Sequence, residues 1–472
     1  MTELTLTAGV ARANITPPAG TRFLGYILRI EPSTGIDTEL FATALVLADE
    51  RAKVAIIDVD LATFSVGRSD EIRRKVAEAI GTPVDHVLLA YSHTHNGPSV
   101  EGGRFAQLTE AETHYVANLA NYIVGAAKLA DANRRPARVA GGSGTAPIAI
   151  NRIETTADGT IILGQNPQGR TDHEVKVVRI DALDGGPIAA IVNYAAHPVV
   201  LGPDPMLISA DYPGVVREVV ERATGATCLY LMGAAGDQMP VDAWTEDTAT
   251  VRKVGNILGH EAVSVYFGIE TRRTEITKRL VISLAEVLAY DVHEVPGTTH
   301  TFLGAAERRI GLPFMALPSL AEAERIHREE SEKLAAAHAR GDSRMAYIGE
   351  IEVRWATRLV EAVKSGKVPA LEMGVVQAIR IDDVAILTAP GECFAGIGLE
   401  AKARSPLKQT LFASYANGAL GYIRTPDAYP KPGVRAVTPD AIAHKWTFTT
   451  PFAPEAAGLV VDTGLELLEG LA

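Results

Sequence analysis

Residues 175–197 read VKVVRIDALDGGPIAAIVNYAAH, two apolar runs joined at Gly185-Gly186, the second run closing on a histidine. Paired glycines between β-type runs are hairpin chemistry, because glycine accepts the positive φ that a tight turn demands. The arrangement recurs twice. TALVLADERAKVAIIDVD, residues 43–60, turns at Asp49-Glu50 and closes on Asp58 and Asp60, while VVQAIRIDDVAILTAPGE, residues 375–392, turns at Asp382-Asp383 and closes on Glu392. AAIVNYAA and VAILTA are nearly continuous apolar runs, which suits strands buried on both faces. Helical periodicity follows at residues 69–81, 109–131, 212–224, 249–268 and 394–404. The expected fold is α/β, with mixed β-sheets packed between α-helices.

The residues at the strand ends carry the chemistry. His93 and His95 in YSHTHNGP, His197 in NYAAHPVV and Glu392 in LTAPGECF each stand just beyond an apolar run. A catalytic zinc needs three or four nitrogen or oxygen donors on a rigid scaffold, and it lowers the pKa of a bound water toward neutrality. A His-x-His pair alone also fits surface or core histidines satisfied by hydrogen bonds. Two other hydrolase classes that use the pair fit poorly: HTHNGP lacks the Asp and third His of an HxHxDH motif, and hairpins replace the strand–helix alternation of a barrel.

With 472 residues, 47% of them hydrophobic, the chain can bury a large core, and its formal net charge of −12 without a basic run disfavours nucleic-acid binding. No stretch reaches the ~18 apolar residues of a spanning helix, so no integral membrane segment is expected. The N-terminus shows no basic and apolar leader, so a cytoplasmic location is expected. Two cysteines, Cys228 and Cys393, exclude a disulfide framework, and Cys393 reads as a small buried hydrophobe. Residues 319–366 are rich in Ala, Glu and Arg and read as a helical hairpin broken near Gly341-Asp342, a solvated insertion rather than a partner-binding arm. Loops are expected at 296–297 and 430–433. A single domain over 1–472 is expected, with a possible subdivision near 270–275.

Six separated motifs carry a resemblance: SHTHNGP, INR at 150–152, AAHP followed by LISADYPG at 207–214, GAAGD at 233–237, PGE at 390–392 and NGALGYIRT at 417–425. Their order, from ANITPPAG to about residue 430, resembles the catalytic domain of the neutral/alkaline non-lysosomal ceramidase superfamily. The resemblance implies one zinc ion per chain held by His93, His197, Glu392 and Tyr422, with His95 and Arg152 facing the substrate. Taken without it, Tyr422 reads as a core aromatic. The chain departs from the pattern in two respects. Met239 stands where some members have a catalytic serine, which argues against a serine nucleophile, and Gly433-Val434-Arg435 replaces an expected aromatic. No C-terminal β-sandwich domain is expected, and with no leader either, ceramide itself is a poor first candidate.

The expected function is therefore cleavage of an amide, or N-acyl, bond by metal-activated water. His95 would stabilise the oxyanion or donate a proton, and Arg152 would hold a polar part of a small-molecule or N-acyl substrate. Two alternatives stay open: a metal-dependent esterase or lactonase on a small polar substrate, and a non-catalytic binding protein stabilised by its metal. Asp58 and Asp60 are candidates to orient ligands or to cap strands, Asp211 is a candidate helix N-cap, and Asp237 is expected to touch substrate or a loop amide. The other histidines read as structural or exposed. Neither oligomeric state nor native metal can be read from the sequence.

Overall fold

A computed structural model describes residues 5–101, 107–295, 300–367, 369–431 and 433–471. The larger sheet has eight strands: β1 (Thr7–Asn14), β2 (Phe41–Ala48), β3 (Lys53–Val59), β4 (Val87–Tyr91), β5 (Arg135–Thr145), β6 (Glu174–Ala182), β7 (Pro187–Tyr194) and β8 (Thr227–Met232). They lie in the order β8-β7-β6-β5-β1-β2-β3-β4. A four-stranded sheet holds β9 (Leu303–Pro313), β10 (Leu371–Ile381), β11 (Val384–Thr388) and β12 (Gln409–Ala413) in sequential order.

The three hairpins foreseen in the sequence are β2–β3, β6–β7 and β10–β11, each antiparallel. Each continues the same way, through a helix to a strand parallel to its second arm. The helices are α1 (Val66–Ile80), α3 (Asp211–Thr224) and α7 (Ala395–Arg404), and the parallel pairs are β3 with β4, β7 with β8 and β11 with β12. A parallel pair needs a crossover, and a helix that covers the sheet is its usual form. The repetition carries the C-terminal ends of β4, β7, β8, β11 and β12 to one region.

The two sheets stack face to face. Leu45, Ile56, Leu88 and Ile191 of the larger sheet share a buried cluster with Ile379, Ile386 and Leu411 of the smaller one. The outer face of the larger sheet packs on α1, α2 (Glu110–Ala132), α3 and α4 (Thr248–Gly268), and that of the smaller sheet packs α7 and Glu455–Glu469. The result is a four-layer helix–sheet–sheet–helix stack, in which alternate residues of one strand serve two cores. Local chemistry sets the helix ends: α1 stops at Gly81 in the left-handed region, and α2 opens on a Thr109–Glu112 capping box.

Residues 320–365 form the foreseen helical hairpin, α5 (Leu320–Ala339) and α6 (Ser343–Ser365), broken at Gly341-Asp342. It is less solvated than expected: Trp355 and Leu359 are buried, and the Trp355 indole donates to the Thr449 carbonyl at 3.0 Å. Among the other expected loops, Pro430, Lys431 and Gly433 lie outside helix and strand, whereas Pro296, Gly297 and Pro432 fall outside the described residues. No helix among the described residues is long and apolar enough to cross a membrane.

Two polar expectations are corrected. Asp58 and Asp60 do not orient the ligands; they are fully buried against Arg217 of α3, with Asp58 at 3.2 Å, and Asp60 caps a strand by accepting the amide of Phe41, the first residue of β2, at 2.9 Å. Asp211 is the first residue of α3 rather than its N-cap, at φ 55°, and its carboxylate accepts the Leu201 amide at 2.9 Å.

Candidate metal centre

Beyond β4 the chain turns at His93, held at φ 61° by a hydrogen bond from its amide to the Leu61 carbonyl. Such a left-handed conformation at a non-glycine residue is costly and marks a site fixed by its surroundings. His93 Nδ1 donates to the Ala62 carbonyl at 2.7 Å, and His197 Nδ1, beyond β7, donates to the Ala235 carbonyl at 2.8 Å. A carbonyl can only accept, so both Nε2 atoms are left as bare lone pairs. They face each other at 3.2 Å, His95 Nε2 lies 3.3 Å from that of His93, and Glu392 Oε2 lies 3.6 Å from His93 and 3.5 Å from His197. Buried Glu392 Oε2 has no hydrogen-bond partner among the described residues. Lone pairs and a carboxylate oxygen converging on one point repel unless a cation lies among them, and imidazole and carboxylate together suit a divalent transition metal. The donor set therefore fits a metal, with both histidines oriented through their second nitrogen.

Glu392 and Tyr422 are placed side by side by a two-residue parallel ladder, Glu392–Cys393 against Tyr422–Ile423. Arg152 lies between this ladder and the β8 turn. Its Nη2 donates to Tyr422 Oη at 3.0 Å and to the Gly236 carbonyl at 2.8 Å. Electrostatics follow from burial and from this cation. Burial first, then Arg152 and the neighbouring histidines, pushes His197 well below its ordinary pKa; His95 is pushed down by burial, His93, Arg152 and Arg29. Both are neutral imidazoles at pH 7. Burial alone would raise Glu392, but the groups around it, the Arg152 cation and the Tyr422 hydroxyl among them, outweigh burial and hold the carboxyl below its ordinary value.

A cavity of about 500 Å³ opens onto His93, His95, Arg152, Glu392 and Tyr422. Its other walls are largely apolar, with Tyr26, Ile27, Leu28, Trp244, Tyr347 and Trp446 among them. Tyr347 comes from α6, so the helical hairpin contributes a wall.

All six residues singled out in the sequence meet here, with one change of grouping: His95 stands with His93 and His197 in a cluster whose ligand atoms lie within 4.8 Å of one another. Arg152 is engaged with Gly236 and Tyr422 while also lining the cavity. Asp237 touches a loop amide, one of its two expected partners, accepting from Ala395 N at 2.6 Å. Met239 is buried and is not a cavity-lining residue, and Cys393 is a buried thiol. Two residues escaped sequence reasoning. Tyr415 stacks on His93 with ring centroids 3.9 Å apart, and Arg29 donates to Asn96 Oδ1 at 2.6 Å and to the His95 carbonyl. Proximity to NGALGY was the only signal for Tyr415; nothing in the sequence marked Arg29.

Fold and site together define a four-layer α/β protein with a histidine–carboxylate cluster at its strand ends. Residues 6–234 match the family model for neutral/alkaline non-lysosomal ceramidases, N-terminal region. This match, which spans just under half of the chain, supports the neutral/alkaline ceramidase family. Over 102 residues it is 32% identical to the neutral ceramidases of Drosophila pseudoobscura pseudoobscura and Drosophila melanogaster, a stretch covering 21% of this chain and only 14% of either relative. The crystal structure of neutral ceramidase from Pseudomonas aeruginosa has the same fold, with a TM-score of 0.64 at 18% identity, covering 99% of this chain and 75% of that one. A ceramidase complexed with C2 superposes with a TM-score of 0.67 at 17% identity, covering 99% of this chain and 76% of its own.

Proposed function

We propose that the chain is a metal-dependent hydrolase that cleaves an amide bond in an N-acyl substrate. The observation that carries this reading is the convergence of the His93 and His197 Nε2 atoms, each turned inward by a carbonyl at its Nδ1, with Glu392 Oε2 at the end of an apolar-walled cavity. His93, His197 and Glu392 would hold the ion, with Tyr422 or His95 as the further donor. A divalent cation such as zinc, when bound, supplies a Lewis acid that lowers the pKa of water and polarises a carbonyl.

The protein's own groups do the rest. Apolar walls seat an acyl chain and exclude water from the reacting carbonyl. Arg152, cationic at every relevant pH, holds the Tyr422 hydroxyl and puts a positive charge where the carbonyl oxygen gains negative charge. His95, neutral and close to His93, can donate its N–H as a hydrogen bond to that oxygen, or take the proton released by the attacking water and pass that proton to the leaving amine. The cluster's access to a cavity favours catalysis over a closed structural site, in which protein ligands shut out substrate.

The test pairs metal analysis with turnover of N-acyl amides, esters and lactones of increasing acyl length. About one zinc per chain with amide cleavage favoured supports the reading. Ester or lactone cleavage without amide cleavage replaces it with the esterase alternative, and no bound metal on zinc supply overturns it.

A further inference from the structure

Far from the metal cluster, strands Thr274–Ile282 and Glu286–Glu294 form a two-stranded antiparallel hairpin, all of whose residues are exposed except Thr274, Val281, Ala289 and Asp291, which are half-buried. Its two faces differ in kind. Ile276, Leu280, Ile282, Leu288, Tyr290 and Val292 alternate onto one face, each at least half exposed, and Leu284 at the tip is fully exposed. The opposite face is polar along residues 275–279, where Arg279 pairs with Asp291 at 2.8 Å and Thr277 bonds His293 at 2.8 Å, and carries only the smaller Val281, Val287 and Ala289 toward the tip. A two-stranded hairpin is marginal in water by itself, and a contiguous apolar face of this size marks an interaction surface.

We propose that this apolar face is a homodimer interface, packed against the same face of a second copy of the chain with the two hairpins antiparallel. The register on the page selects that partner. Along the face, cross-strand pairs run Ile276–Val292, Lys278–Tyr290, Leu280–Leu288 and Ile282–Glu286. A twofold axis through the Leu280–Leu288 level sets leucines on leucines. It also brings each Lys278–Tyr290 level over the Ile282–Glu286 level of the second copy, and each Leu284 tip over Ile276 and Val292. Lys278 then meets Glu286 twice, while Glu294 at the edge of the face is already paired with Arg138, and Tyr290 gains a carboxylate acceptor. Parallel packing would set Lys278 over Tyr290 and Glu286 over Ile282, which keeps Lys278 and Glu286 four residues apart along the strands and leaves both charges unpaired. Seven large side chains and the flanking stems amount to the order of ~800 Å² per partner that a stable interface buries.

Position argues against a bilayer as the occupant. The hairpin is anchored where Arg138 Nη2 meets Glu294 at 2.6 Å and Thr271 Oγ1 meets Asp181 at 2.8 Å. Asp181 pairs with Pro187, the start of β7, whereas the cluster lies beyond the far end of that strand, roughly 25 Å away. A membrane docked on the hairpin would sit at the opposite end of the sheet from the cavity; a second copy places no such demand on the site.

Sedimentation equilibrium at tens of micromolar should give twice the 50.1 kDa chain mass. Leu280→Asp with Leu288→Asp should give a monomer that keeps the wild-type far-ultraviolet circular dichroism, since both side chains are exposed within one chain. Lys278→Glu or Glu286→Lys alone should weaken dimerisation roughly tenfold or more, and the two together should restore it. A monomeric wild type, a dimer indifferent to the leucine changes, or a monomer that binds phosphatidylcholine vesicles through Leu280 and Leu288 would each overturn the proposal.

Discussion

Asp237 Oδ1 accepts the backbone amide of Ala395 at 2.6 Å, and this bond joins the turn after β8 to the first residue of α7, three positions beyond Glu392. Asp237 Oδ2 is meanwhile bonded by Asn151 Nδ2 at 3.1 Å, next to Arg152. One buried carboxyl thus fixes the segments that carry Glu392, Arg152 and, through the Ala235 carbonyl, His197. Burial pushes that carboxyl up to about 7. Asp237→Ala leaves a buried amide without an acceptor, at a cost of about 1–3 kcal/mol. It should also lower metal affinity by roughly 10- to 100-fold, as loss of a group supporting a ligand does. Asp237→Asn keeps an acceptor and should retain most of both; a metal titration with parallel thermal melts checks this.

Gly236 makes a close approach that a side chain would block. A Cβ there would lie 2.5 Å from the Glu392 carbonyl oxygen and 2.9 Å from that of Cys393. Gly236→Ala should displace the Glu392 segment and reduce turnover and metal affinity together while the sheets stay folded. Far-ultraviolet circular dichroism beside metal content reads the two effects separately.

His197→Ala removes one of the two imidazoles oriented by carbonyls and should abolish both metal retention and turnover. His95→Ala separates two roles. Turnover lost by roughly 10²-fold with metal retained identifies a residue acting on the substrate, whereas loss of metal identifies a ligand. Elemental analysis of the two variants beside wild type decides between them.

Arg217 is enclosed with Asp58 and Asp60 between α3 and the β3 end. Arg217→Ala strands two carboxyls in the core and should destabilise the fold by about 3–5 kcal/mol, measured by denaturant unfolding. Burial raises Asp58 to about 7 despite Arg217, so part of this charge is held as a proton. A raised carboxyl contributes stability that is full at acid pH and is lost as pH rises through about 7.

His300 links two of the hairpin turns, with Nε2 3.2 Å from Asp49 and Nδ1 3.0 Å from Asp382. Burial lowers its pKa, but the two carboxylates outweigh burial and leave it raised. A raised histidine stabilises fully below its unfolded value, near ~6.5, and that stability fades as pH climbs through the folded value. The melting-temperature gap between wild type and His300→Gln should therefore be widest near pH 6 and narrow toward pH 8.5. A gap independent of pH would reject the charged link.

The hairpins, their turns and most helices were legible in the sequence because hydrophobic period and turn residues are local properties, fixed over spans of ten to twenty residues. His93, His95, His197 and Glu392 were legible as polar exits from apolar strands, while Tyr422 and Arg152 entered only through resemblance. The pairing of Asp58 and Asp60 with Arg217 and the contact of Asp211 with the Leu201 amide were not legible, because those partners come from elements that only folding brings alongside.

The amino-acid sequence by itself determined the elements, their burial and the donor chemistry at strand ends, since each depends on neighbours along the chain. Tertiary structure alone decided that the two sheets stack, that Tyr415 lies on His93, that α6 walls the cavity and that His95 joins the imidazole cluster. Those contacts join residues tens to hundreds of positions apart, and no local period encodes which distant strand end will face which.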